Sequence, residues 1–232
     1  MRSAARMTTK VDMVSVIIPT LNEAGNIKEA LDTIENKLAY PKEIIIVDGN
    51  STDGTLEIVK ESKARLIIEP RRGYGLALRV GMKHAKGDVV VMVDGDGTYE
   101  IEKINHLLER MMETDAEMCM ATRMYDEKKA MGLRNFIGNK VITFCFNMLY
   151  KQNISDTQSG FRAISLSAIE KVNFKETDMA FATEMLVKFA KKGFKMVEYP
   201  TTYRLRKYGK PKLRPYQSAI EILATLLKGL RA

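Results

Sequence analysis

The chain has 232 residues, 45% hydrophobic and 28% charged, with a formal net charge of +8, the profile of a soluble globular protein with enough apolar residues for a sizeable core. Cys119 and Cys145 stand alone, without metal-ligand spacing, which fits a reducing compartment, and Met1 to Lys10 lacks the apolar stretch of a secretion signal. The longest nearly apolar run, ten residues from Val141 to Tyr150, is well short of the ~20 that cross a bilayer.

Residues 1–12 read as a flexible tail and 13–232 as one domain with two halves, 13–122 and 123–232. In the first half strand and helix alternate. Strands are expected at 14–19, 43–48, 65–69 and 88–94, from their β-branched runs. Between them, Asn26 is expected to cap a helix reaching about Leu38, with Ile27, Ala30, Leu31 and Ile34 on one face. Gly54 and Thr55 open a second helix towards Lys63, and Gly75 to Ala85 supplies a third. A helix at 101–114 and a strand near 117–122 follow. This alternation builds right-handed crossovers and an α/β fold, a mostly parallel sheet with helices on its faces.

After Arg123 the rhythm changes. Leu133, Ile137, Val141, Phe144 and Met148, with Phe136 and Cys145 beside them, trace one apolar face of a helix. A polar loop follows from Asn153 to Gly160, then helices at about 166–171 and 181–192 and strands near 194–199 and 201–205. The chain closes on an amphipathic helix, Tyr216 to Leu230, with Ile220, Leu223, Leu227 and Leu230 aligned.

Parallel strands share one carboxyl edge, where ligands bind. Three of the expected strands end in acids: Glu23 after Val16-Ile17-Ile18-Pro19-Thr20-Leu21-Asn22, Asp48 after Ile44-Ile45-Ile46-Val47, and Asp94-Gly95-Asp96 after Val91-Met92-Val93. Residues i and i+2 point the same way after a strand, so Asp94 and Asp96 can face one Mg²⁺ or Mn²⁺, with open positions for substrate phosphates. A lone D-x-D also suits an ordinary turn; the set of acids at neighbouring strand ends points instead to a metal-dependent enzyme acting on a nucleotide diphosphate. Asp48 is placed to accept from a base or ribose, and Asp53 to organise a turn or cap a helix. Gly73-Tyr74-Gly75 fails the dinucleotide pattern, since Leu78 holds the third glycine position. His84 and His106 fall in helical stretches away from the strand ends, and Met111, Met112, Met118, Met120 and Met124 read as packing.

Charge is divided unevenly. Residues 1–120 carry 16 Lys and Arg against 20 Asp and Glu, whereas residues 121–232 carry 21 against 9. Arg204, Arg206, Lys207, Lys210, Lys212 and Arg214 put six cations into eleven residues. Such a run is either a solvated face or a surface for phosphate and anionic membrane; the amphipathic helix behind it favours the second.

The ordered motifs resemble the inverting family 2 glycosyltransferases, specifically the dolichyl-phosphate (polyprenyl-phosphate) sugar synthases. The resemblance is carried by residues 16–23, by Ile46-Val47-Asp48-Gly49-Asn50-Ser51-Thr52-Asp53-Gly54-Thr55, by Asp94-Gly95-Asp96 and by Asp156-Thr157-Gln158-Ser159-Gly160-Phe161-Arg162. It implies a GT-A fold, a divalent metal and transfer of sugar from a nucleotide donor to a lipid phosphate. It places Pro19, Leu21, Glu23, Asp48, Asp94, Gly95 and Asp96 on the nucleotide sugar, with Asp94 and Asp96 on the metal. Arg123, Arg134, Ser159, Arg162, Arg206 and Lys212 would clamp the acceptor and donor phosphates, with Asp96, Arg123, Arg134 and Arg206 carrying catalysis. Pro211 replaces a serine of the family's G-x-S-K-L run, which removes a hydroxyl contact. Gly97-Thr98-Tyr99 after the acids resembles the glucose- and N-acetylglucosamine-using branch more than the mannose-using one. The two-pass tail of some relatives is missing, which implies a cytoplasmic protein held peripherally on a membrane's cytoplasmic face, directly or through a membrane-embedded partner, with no nucleic-acid partner. Two rival readings are a family 2 transferase acting on a glycan, protein or soluble acceptor, and a non-catalytic basic nucleotide- or nucleic-acid-binding module.

Overall fold

The computed structural model describes residues 11–125, 132–209 and 215–231. The elements run β1 (Val14–Thr20), α1 (Ala24–Lys37), β2 (Lys42–Asp48), α2 (Thr55–Lys60), β3 (Arg65–Ile68), α3 (Tyr74–His84) and β4 (Val89–Met92). A 3₁₀ turn (Ile101–Lys103) leads into α4 (Ile104–Glu113), then β5 (Met118–Tyr125), α5 (Leu133–Tyr150), β6 (Arg162–Ser165), α6 (Leu166–Glu170), α7 (Ala180–Lys192), β7 (Met196–Thr202) and α8 (Pro215–Arg231). The strands form one seven-stranded sheet in the order β3-β2-β1-β4-β6-β5-β7.

The central strands are apolar at nearly every position because helices cover both sides of the sheet. Successive side chains point to opposite faces. Val16 and Ile18 pack with Ile27, Ile34, Leu107 and Leu108 from α1 and α4, while Ile17 packs into a second core with Leu78, Phe146, Phe181, Leu186 and Leu226. Strand β1 lies parallel between β2 and β4, and Thr20 is level with Asp48. The carboxyl ends of the three strands therefore open at one edge.

Several expectations on the elements are corrected. Strand β6 was not anticipated: four residues running straight into a helix give no period to read. It runs antiparallel between β4 and β5. The two strands expected at 194–199 and 201–205 are one strand, β7, which pairs with β5 and tolerates Pro200 at the edge of the sheet. Tyr203 beyond it makes only an isolated bridge, to Tyr99. Helix α2 stops at Lys60 rather than Lys63. Asn26 does not cap α1, which begins at Ala24; the carboxylate of Asp53 accepts from the Ala24 N–H at 3.1 Å instead.

Candidate active site

The first wall of the site is the junction of β1 and β2. Asp48 is fully buried, and its carboxylate accepts from Thr20 Oγ1 at 2.7 Å, Ser51 N at 2.6 Å and Ser51 Oγ at 2.7 Å. Asn22 and Asn50 take left-handed backbone angles (φ 52 and 67), which asparagine tolerates better than most residues. The two loops are stitched together by Asn22 N to Ser51 Oγ at 2.7 Å and Thr52 N to Asn22 Oδ1 at 2.8 Å. Asp53 holds its own turn, accepting from Thr55 N at 3.1 Å and Thr55 Oγ1 at 2.5 Å. Pro19 and Leu21 sit half-buried at this end of β1.

The second wall is Asp94-Gly95-Asp96. Gly95 is glycine for packing, since a Cβ there would meet Ile18 Cγ2 at 2.9 Å. Asp96 Oδ1 accepts from Thr98 N at 3.0 Å and Thr98 Oγ1 at 2.6 Å, and Gly97 turns the chain with φ 75. Asp94 faces inward: a Cβ on Gly160 would lie 2.6 Å from its Oδ2 and 3.0 Å from the Tyr74 hydroxyl. Burial, and then the charge of Asp96, push the Asp94 carboxyl up to about 7.

The third wall comes from the basic half. Arg206 reaches between two acids, pairing through Nη2 with Glu23 Oε1 and through Nη1 with Asp96 Oδ2 at 3.2 Å. Glu23, assigned from sequence to the nucleotide, is buried, and its other oxygen accepts from Asn26 Nδ2 at 2.9 Å. Arg204 pairs with Glu100 and Glu102 at 3.8 and 3.6 Å, and Lys207 with Glu29 at 2.9 Å. The described part of the basic run is therefore folded onto the acidic half.

The remaining clamp residues separate. Arg123 is buried in a bidentate pair with Asp156, at 2.6 and 2.8 Å. Burial alone would raise the Asp156 carboxyl, but Arg123 brings it down to about 2. Arg162 is buried, and its guanidinium donates to the carbonyls of Ser159, Ala182 and Thr157 at 2.8, 3.0 and 2.9 Å. Ser159 is likewise buried, its Oγ accepting from Phe161 N at 3.3 Å. Arg162 and Ser159 thus shape the loop beside Asp94. Arg134 is exposed at the start of α5, and Lys212 lies outside the described residues. Sequence reasoning gave other roles to Asn26, Thr98 and Tyr99: Asn26 and Thr98 hold Glu23 and Asp96, and the buried Tyr99 hydroxyl accepts from Gly160 N at 2.6 Å. Their signal was only their place within two or three residues of an acid.

The donor set fits a divalent cation taken up together with a diphosphate. Asp96 presents Oδ2 to a cationic side chain, with Asp94 two residues away. Among the described residues no three Asp, Glu, His or Cys side chains close round an ion. Mg²⁺ and Mn²⁺ sites of this kind use one or two carboxylates and complete the shell with substrate oxygens.

Comparison with known proteins agrees with this layout. Residues 15–172 match the model of Glycosyl transferase family 2. The low-salt glycan biosynthesis hexosyltransferase Agl6 of Haloferax volcanii is 34% identical over 200 residues, 83% of this chain but 48% of that protein, so the chain spans about half the length of this relative. The dolichyl-phosphate hexose transferase of the same organism is 28% identical over 217 residues, covering 94% of this chain and 93% of its own. In structure, glucosyl-3-phosphoglycerate synthase from Mycobacterium tuberculosis, in complex with Mn²⁺, UDP and phosphoglyceric acid, superposes with a TM-score of 0.77 at 20% identity, over 94% of this chain and 78% of that one. That likeness shows the GT-A fold.

Proposed function

The chain belongs to glycosyl transferase family 2, and on that premise we propose that it transfers a sugar from a nucleotide sugar to dolichyl or polyprenyl phosphate, with inversion at the anomeric carbon. The observation that carries the reading is the seating of Arg206, from the basic half, on Asp96 and Glu23 at the carboxyl edge of the acidic half. A reaction between two phosphate-bearing substrates has to overcome their mutual repulsion, and a site that joins acids for a metal to a phosphate-binding arginine answers that need.

Asp94 and Asp96 would hold the Mg²⁺ or Mn²⁺, whose charge would stabilise the departing nucleoside diphosphate. The acceptor phosphate monoester has a second pKa of about 6, so at neutral pH it already carries the attacking oxygen's charge, and no general base is assigned. That oxygen bonds to the anomeric carbon as the bond to the donor diphosphate breaks. Arg206, with Arg134 at the start of α5, is proposed to neutralise the phosphates, while Arg123, fixed by Asp156, supports the wall behind them. The donor is proposed to be UDP-glucose or UDP-N-acetylglucosamine ahead of GDP-mannose, on Gly97-Thr98-Tyr99. Tyr99 is buried against Phe161, so any influence on the sugar passes through the loop it braces.

No described helix is long and apolar enough to cross a membrane. Two helices nonetheless present apolar stripes to solvent, and these are proposed to rest on the membrane surface that contains the acceptor. Incubating the chain with labelled UDP-glucose, UDP-N-acetylglucosamine or GDP-mannose, a divalent cation and a short dolichyl phosphate should move label into the lipid extract with one UDP-sugar. Asp96→Ala should abolish the transfer while the fold persists. Failure to label lipid with any of the three donors would sink the reading.

A further inference from the structure

The segment after β7, residues 203–209, lies across the site and is fastened at several points. Arg204 N donates to Thr98 O at 2.8 Å, and the Tyr203 ring packs edge-on against Tyr99 with centroids 5.3 Å apart. The carbonyl of Tyr208 accepts from Arg206 Nε at 2.7 Å and from Asn26 Nδ2 at 3.4 Å. The Tyr208 ring covers Gly25, where a Cβ would meet its Cγ at 2.8 Å. At the centre, Arg206 is shared between Glu23 and Asp96. The two acids are not equivalent. Asp96 stands at the rim with one oxygen already held by Thr98, whereas Glu23 is buried and spends its oxygens on Arg206 and Asn26.

We propose that Glu23 is a positioning residue: it seats Arg206, and with it the 203–209 segment, so that the guanidinium competes with a divalent cation for Asp96. This deepens the transferase reading and rests on it for the identity of the cation site. Two cations on one carboxylate oxygen repel each other, so an ion arriving at Asp96 weakens the Arg206 contact there. Glu23 keeps the guanidinium within reach, where a diphosphate carried in with the metal offers it a new anionic partner. The arginine is thereby stored beside the place it is needed, and the acids are neutralised until substrate comes.

Hydrogen–deuterium exchange on the full chain, free of metal and nucleotide, tests the seat directly. Glu23→Gln removes the charge and keeps the shape. Gly25→Ala drives a methyl into the root of the Tyr208 side chain without touching any charge. Both should speed exchange in 203–209 by about tenfold, the loss of one charge-assisted contact, with exchange in β1 and β4 unchanged. Mn²⁺ titration followed by electron paramagnetic resonance should then show tighter binding to Gly25→Ala than to the parent chain, since every carboxylate remains and the competitor has loosened. Parent-like exchange in Glu23→Gln overturns the seat. Faster exchange in Gly25→Ala with unchanged Mn²⁺ affinity overturns the competition. Neither readout needs turnover, so a chain that transfers no sugar sinks the function and leaves the exchange result to decide the seat.

Discussion

Asp94 differs from Asp48 in what surrounds it, although both end buried strands. Asp48 is wrapped by three hydrogen-bond donors, whereas Asp94 faces Asp96 across a turn and rises from its ordinary 3.8 to about 7 through burial and that like charge. A raised carboxyl binds more protons folded than unfolded, so its ionisation costs stability as pH climbs from about 4 to about 7. In the presence of chelator, urea midpoints measured across that window should fall more for the parent chain than for Asp94→Asn. Parallel curves would show that ionised Asp94 is not penalised. The strand-end acids were legible in sequence because a parallel sheet forces its carboxyl ends to one edge. The surroundings of Arg162 and Ser159 were not, because residue type suggests phosphate while only the fold shows Arg162 donating to backbone carbonyls and Ser159 Oγ accepting from Phe161 N.

Helix α5 shows how an element's periodicity can be read from sequence while the side it turns to the core is set elsewhere. Its apolar periodicity names Leu133, Ile137, Val141, Phe144 and Met148, and these are the residues left between 52 and 66% exposed. The buried side carries Asn139, Ile142, Thr143 and Phe146. Polar partners decide the orientation: Asn139 Nδ2 donates to Asp156 Oδ1 at 2.9 Å, and Thr143 Oγ1 meets Thr157 Oγ1 at 2.9 Å. The Arg123–Asp156 pair thus ties β5, the 153–160 loop and α5 together. Removing one member of a buried pair leaves the other charge unpaired, at a cost of about 3–5 kcal/mol. Asp156→Ala should lower the unfolding free energy in guanidinium titration by that amount; a loss below about 1 kcal/mol would show that Arg123 finds other partners. No spacing in the sequence signals such a pair, since its members are distant along the chain and meet only through the sheet.

At the scale of the whole molecule, the charge split is partly cancelled inside the fold, because Arg204, Arg206 and Lys207 close onto acids of the first half. Two helices also turn apolar side chains outward. Helix α8 repeats the behaviour of α5: Ile220, Leu223, Leu227 and Leu230 are between 42 and 70% exposed, while Ile222 and Leu226 are buried. Tyr150 of α5 donates to Leu226 O at 2.6 Å, so the two helices adjoin, and exposed Arg134, Lys140 and Lys228 accompany their stripes. Apolar stripes flanked by cations suit the interface of an anionic bilayer. Truncating α8 would strip Ile222 and Leu226 from the core, so substitution on the outer face is the cleaner test. The double change Phe144→Glu, Leu227→Glu removes two large apolar side chains, each worth roughly 1.5–3 kcal/mol on full burial. It should lower partitioning onto anionic liposomes in flotation by about a hundredfold or more, with melting temperature and nucleotide binding retained. Undiminished flotation by the double variant would assign the stripes to another role and leave the proposed lipid acceptor to be reached by a different surface.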